Sequence, residues 1–283
     1  MTTRHPMDPD DPERSQSIRD EIAEHLIPIE PAADERLGMR ERLMARVREA
    51  RDRVRSVTFV RPHEDGFRDL MRGVRVMELS ATNQAVLLEF APGASLPVHR
   101  HREDEECVVI RGSARIHETQ VREGDYHLAH ARSRHAVVRS EHGALLYVRG
   151  TPIGSFAGVL RDLAAAWLPT RAADHLTLRA DDDEWAQMCP GVAGRVLYER
   201  DGHRSLMLRL AAGARLQSMR VGCPTESIVV AGEAYFGDER ADRGDYAVFA
   251  RGDDLPEVSS DSGATVFLRL TNPLPALVTT SDH

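Results

Sequence analysis

The sequence predicts an all-β protein of two tandem antiparallel jelly-roll barrels behind a short helical N-terminal segment. Three observations support that class. Short apolar runs separated by Gly-containing turns fill most of the chain, which is the pattern of barrel strands. A length of 283 residues accommodates two domains of ordinary size. The chain also repeats itself: Gly93 maps to Gly213, Gly112 to Gly232, Gly124-Asp125-Tyr126 to Gly244-Asp245-Tyr246, Gly143 to Gly263 and Arg149 to Arg269. Turn glycines and a Gly-Asp-Tyr strand start recur where a barrel needs tight corners, so the second segment is expected to share the fold of the first.

In chain order, residues 1–55 form an N-terminal arm, 56–150 the first barrel, 151–180 a linker with a helix, and 181–283 the second barrel. Residues 1–16, rich in Pro, Asp and Arg, are expected to lack fixed structure. Ser17–Leu26 reads as a short helix, Ile27–Pro31 as an extended linker, and Asp34 to about Arg55 as an arginine-rich helix with an apolar stripe of Leu43, Val47, Ala50 and Val54. Such a stripe is expected to pack on the first barrel or on a twin in a dimer. Ser155–Trp167 carries Phe156, Val159, Leu160, Leu163 and Trp167 at helical spacing and stops before Pro169. The acidic run Asp181–Glu184 reads as a solvated turn.

Composition excludes several function classes. A formal charge of −8 and a pI of about 5.9 give no footprint for nucleic acid. Every one of the 37 basic residues is arginine, which reads as coding bias. Cys107, Cys189 and Cys223 are odd in number and widely spaced, as free thiols in a reducing compartment would be. No charged-then-apolar leader opens the sequence and no apolar run approaches a membrane span, so the expected location is the cytoplasm.

The chemistry concentrates in Gly93-Ala-Ser-Leu-Pro-Val-His99-Arg-His101-Arg-Glu-Asp-Glu105, closed by Gly112. His99 and His101 are one residue apart, so on a strand they leave the same face, and in a barrel that face points at the axis. Glu105 starts the next apolar strand after the turn Arg102-Glu103-Asp104 and faces the same point. His135 follows the Gly124-Asp125 turn and completes a set of three imidazoles and one carboxylate. Imidazole with carboxylate suits Zn, Fe, Mn, Ni or Cu. Cys107 alternates onto the same side of its strand as Glu105, while Arg115, Arg134, Arg139 and Tyr147 are candidates for an anion clamp around the site.

These two blocks resemble the cupin motifs G-x5-H-x-H-x3-E-x6-G and G-x5-P-x-G-x2-H-x3-N. The first matches at every defined position; the second keeps Gly124 and His135 but has His130, Arg132 and Arg139 where the family has proline, glycine and asparagine. The resemblance implies one divalent transition metal per chain, zinc foremost with Fe, Mn or Ni as alternatives, on His99, His101, Glu105 and His135. Leu26-Ile-Pro-Ile-Glu-Pro31, Leu37 and Arg40–Arg46, with Cys189-Pro190-Gly191-Val192 ahead of the second barrel, are similar to ChrR-like anti-sigma factors. The zinc-binding anti-sigma domain of that family has a His and a closely spaced Cys pair before the linker, whereas this chain has no cysteine before Cys107.

In the second copy the ligand positions become Met219, Val221, Thr225 and Leu255, a set that cannot hold a first-row metal. Glu226 corresponds to Glu106, which alternation turns to the other face. Two functions follow: a ChrR-like sensory or regulatory protein linked to transcription or stress response, or a metal-dependent enzyme such as a non-haem Fe dioxygenase of small organic substrates. The implied partners are a small-molecule effector or substrate, a sigma factor, and a second copy in a homodimer; nucleic acid and membrane are not among them.

Overall fold

Strand Glu105–Ile116 begins Glu-Glu-Cys-Val-Val-Ile, six consecutive buried residues. A strand with one wet face would alternate; an unbroken buried run needs cover on both faces. The computed structural model supplies both. It describes residues 38–44, 57–100, 103–135, 137–150, 175–219, 224–250 and 255–271, and only the backbone of His135. Expectations for 1–16, Ser17–Leu26, Ile27–Pro31, Ser155–Trp167, His101, Val221 and Cys223 lie outside those residues.

Among the described residues two ten-stranded sheets, antiparallel in every pairing, form the two barrels. In the first, the strand order is His175–Leu178, Tyr126–Ala129, Glu105–Ile116, Ala144–Arg149, Ala85–Phe90, Val74–Ser80 and Arg68–Met71. The second repeats it with Thr58–Val60, Tyr246–Phe249, Thr225–Phe236, Ala264–Thr271, His203–Leu210, Val192–Arg200 and Ala186–Cys189. Alternate side chains then divide between two cores. Val86, Leu88, Cys107, Val109, Leu146 and Val148 fill the first barrel, and Leu208, Val229, Phe249, Val266 and Leu268 fill the second. Their neighbours Leu87, Val108, Ile110, Tyr147, Ile228 and Phe267 form a third core between the barrels.

The leading strand of each half belongs to the other half's sheet. Thr58–Val60 pairs with Tyr246–Phe249 of the second barrel, and His175–Leu178 pairs with Tyr126–Ala129 of the first. The linker 151–180 read from the sequence therefore ends in a strand of the first sheet, and a strand near the start of the first half belongs to the second. The copies also differ in one hairpin. Val74↔Phe90 matches Val192↔Leu210, but in the second copy the strands run on to Arg200 and His203 and close on the tight turn Asp201-Gly202, whereas those of the first stop at Ser80 and Ala85.

Tight corners explain the repeated glycines. Gly112 and Gly232 both sit at φ +74°, and a Cβ there would lie 2.2 and 2.1 Å from the carbonyl oxygens of Gly143 and Gly263. No other residue fits without moving backbone.

A polar clasp fastens the barrels. Arg149 Nε donates to Glu226 Oε1 at 2.9 Å, and Arg269 Nε donates to Glu106 Oε1 at 2.6 Å. Tyr246 and Tyr126 hydroxyls donate to the same two carboxylates at 2.8 and 2.9 Å, and Ser205 Oγ adds a bond to Glu106. Glu226 thus faces away from the barrel axis, as alternation requires. The acidic run 181–184 has a fastening role beyond a solvated turn: Asp182 and Glu184 hold the buried Arg195 guanidinium at 3.1 and 3.2 Å.

The described N-terminal helix, 38–44, leaves Met39, Leu43 and Met44 exposed. Among the described residues no helix is long and apolar enough to cross a membrane.

Candidate metal centre

The two-residue strand His99–Arg100 pairs with Arg134–His135, placing the backbones of His99 and His135 opposite each other. His99 is buried, and its Nδ1 lies 2.9 Å from the Pro97 carbonyl. A carbonyl only accepts, so Nδ1 carries the proton and Nε2 keeps its lone pair, the tautomer a metal-ligating histidine needs. Burial lowers the His99 pKa, and the Pro97 bond offsets this in part. Glu105 is buried at the start of its strand, opposite Ala129. His101 and the side chain of His135 lie outside the described residues, and among those described no three His, Cys, Asp or Glu groups meet in metal-binding geometry. The donor set itself, imidazole with a buried carboxylate, fits a divalent transition ion.

Asp104, read from the sequence only as part of an acidic turn, positions Glu105. Its Oδ1 accepts from the Ala131 N–H at 2.7 Å and its Oδ2 accepts from the Tyr198 hydroxyl at 2.5 Å. The turn before Glu105 is thereby tied both to the loop leading into Arg134–His135 and to the second half. Burial, then the bond to Asp104, pushes the Tyr198 pKa up to about 12. Only the placement of a second-half tyrosine reveals this role.

Cys107 lies in the first barrel's core on the same face as Glu105, as alternation predicts. Burial, then the charge of Glu105, pushes its thiol well above the usual range, so it is not a thiolate nucleophile. The anion clamp is corrected. Arg115, Arg134 and Arg139 are exposed. Tyr147 points into the core between the barrels, its ring centroid 5.5 Å from that of Phe267 and 6.2 Å from that of Tyr246. It pairs with Val108, so it shares the face opposite to Cys107 and Glu105.

The second barrel keeps the backbone and drops the donors. Met219 and Leu255 form a bridge of two backbone hydrogen bonds, 3.0 and 2.9 Å, at the positions of His99 and His135. Thr225 stands fully buried at the position of Glu105. A cavity of about 160 Å³ beside them is walled by Met188, Leu208, Leu216, Met219, Leu255 and Leu268 among others.

Two fused antiparallel barrels, with ligand-type residues in one and an apolar interior in the other, define a two-barrel cupin. Residues 55–154 and 173–273 each match the ChrR cupin-like domain, and the chain belongs to that family. No curated protein matches the chain. Among solved structures, a candidate dioxygenase of Nostoc punctiforme has TM-score 0.53 at 14% identity, covering 80% of this chain and 83% of its own. A Lactobacillus farciminis oxalate decarboxylase in complex with formate has TM-score 0.53 at 15% identity, covering 74% and 84%. A Bacillus subtilis oxalate decarboxylase variant has TM-score 0.51 at 16% identity, covering 74% and 75%. At such identities the likeness establishes the shared fold alone.

Proposed function

We propose that this chain is a metal-binding regulatory or sensory bicupin, ChrR-like and linked to transcription or stress response. One divalent transition ion, zinc foremost, would be held in the first barrel by His99, His101, Glu105 and His135. The asymmetry of the two barrels carries this reading: on matching backbone bridges, one barrel has His99 opposite His135 and the other Met219 opposite Leu255. A fold that closes around Met and Leu does not need imidazoles there. When bound, the ion would supply a Lewis-acid or redox centre with positions left for a small ligand.

The chain's own residues set the conditions around it. The Pro97 carbonyl fixes the His99 tautomer, and Asp104 holds the Glu105 turn. The arginines of the expected clamp, Arg115, Arg134 and Arg139, are exposed. The enzyme reading, a metal-dependent enzyme such as a non-haem Fe dioxygenase of small organic substrates, draws support from a structural neighbour described as a dioxygenase. The proposed partners are a small-molecule effector, a second copy in a homodimer and, in the ChrR-like manner, a sigma factor.

Affinity purification from the native cell, beside oxygen-uptake measurements on the Fe(II)- and Mn(II)-loaded protein, separates the two. A recovered sigma factor or other regulator without turnover is the expected result. Substrate-dependent turnover that vanishes on metal removal, with no protein partner, would reverse the ranking.

A further inference from the structure

The inner face of the first barrel carries a second group of polar side chains beside the proposed ligands. Strand register defines two rows across three strands. Glu105, Ala129 and His175 form one, and Cys107, His127 and Thr177 form the next. His127 Nδ1 lies 2.8 Å from Thr177 Oγ1. The His175 ring is 5.5 Å from that of His127 and 4.3 Å from that of His117, which follows strand Glu105–Ile116. Two of these residues, His175 and Thr177, arrive on the strand exchanged from the other half.

The internal copy shows what the same backbone requires when no such group is needed. Aligned by register, His127 becomes Ala247, His175 becomes Val57 and Thr177 becomes Phe59; Val57 and Phe59 pack against the second core, where Ala247 is buried. His117 becomes Gly237, and both take positive φ, 54° and 64°. Glycine is the residue freest to take that conformation, and the first barrel has an imidazole in its place. At all four positions the second barrel has the residue that is easier to accommodate, and the first has a polar one. Polar side chains placed where a sister barrel dispenses with them point to a site.

From this we propose that His117, His127, His175 and Thr177 form the ligand-recognising wall of the first barrel's centre, for a small oxygen monoanion of the carboxylate kind. The proposal rests on the metal reading above. A divalent ion with one carboxylate ligand leaves a single net positive charge, which a monoanion neutralises and a neutral ligand does not. The wall adds direction without further charge. Burial foremost holds His117 and His127 uncharged at neutral pH, so they offer N–H and lone-pair sites as neutral imidazoles. The exchanged strand makes the centre dependent on both halves.

The test uses the full chain loaded with Co(II), whose visible absorption reports its ligands, titrated with acetate and with uncharged acetamide. The wild type is expected to hold one Co(II) and to shift its spectrum with acetate, with acetamide at least tenfold weaker. His175→Val, Thr177→Val and His127→Ala, each chosen as a change the fold tolerates, are expected to keep cobalt and lose acetate affinity at least tenfold. Melting curves identify any variant that misfolds, and the remaining ones decide. Acetate affinity unchanged in cobalt-retaining variants would overturn the wall, as would a wild-type cobalt form indifferent to acetate. Loss of cobalt from the folded variants would make these residues metal holders instead. A wild type that takes up no cobalt would fail the metal reading first, and the wall with it.

Discussion

Glu105 and Glu106 are adjacent carboxylates with opposite tasks, separated by strand alternation alone. Glu105 faces the first barrel's interior; Glu106 faces the second barrel and meets the buried Arg269. A buried ion pair is expensive to break and inexpensive to replace whole. Glu106→Gln or Arg269→Leu should destabilise by about 3–5 kcal/mol in urea titrations, while an apolar replacement of both should recover only part of it, because the Tyr126 and Ser205 hydroxyls then lose their acceptor. At the centre, His99→Ala or His135→Ala should drop metal content well below one per chain by elemental analysis. A second metal bound near Met219 would overturn the comparison of the two copies. His127 gives the pH dependence. Burial, then His175 and His117, lowers its pKa from 6.5 to about 3, so the unfolded chain binds the proton more tightly. Stability from this group is fully present above pH 6.5 and falls as pH drops toward 3, by up to about 1.4 kcal/mol per unit. In metal-free protein, His127→Ala should flatten thermal stability against pH across that window.

Among the elements, the hairpin corners and exchanged strands carry most of the specification. Gly112→Ala and Gly232→Ala should each cost about 1–3 kcal/mol or more, because positive φ and a backbone clash coincide at both sites. Similar losses are expected, since the two corners are copies; the measurement is the shift in urea midpoint at unchanged slope. The exchanged strands close sheet edges that would otherwise be bare. Thr58–Val60 also shields the second core, where the Phe59 ring stands 6.1 Å from that of Phe236.

At the scale of the whole molecule, the two barrels share one core and a reciprocal clasp. Leu87, Val108, Tyr147, Ile228 and Phe267 would all face water if the halves parted, and each half would lose its outermost strand. Residues 57–150 and 175–271 expressed separately are therefore expected to aggregate or remain unfolded, and to give a folded complex only when produced together. Circular dichroism and gel filtration of each fragment check this; a stable, monomeric single half would contradict it.

The sequence by itself determined the all-β class, the two copies and the identity of the candidate ligands. Each rests on local rules: turn glycines, alternation and residue spacing are properties of neighbouring residues. The repeat even contained the clasp, because Arg149 and Glu106 recur as Arg269 and Glu226, but repetition does not say that each arginine reaches the other copy's carboxylate. Asp104 bonded to Tyr198, Tyr147 turned away from the centre, and His175 and Thr177 brought to the first barrel were equally invisible. Each depends on which strand lies beside which, and His175 reaches His127 across 48 positions of chain only because the leading strands are exchanged. Long-range pairing is decided by burying both faces of a sheet at once, a property of the packed molecule that no local stretch encodes.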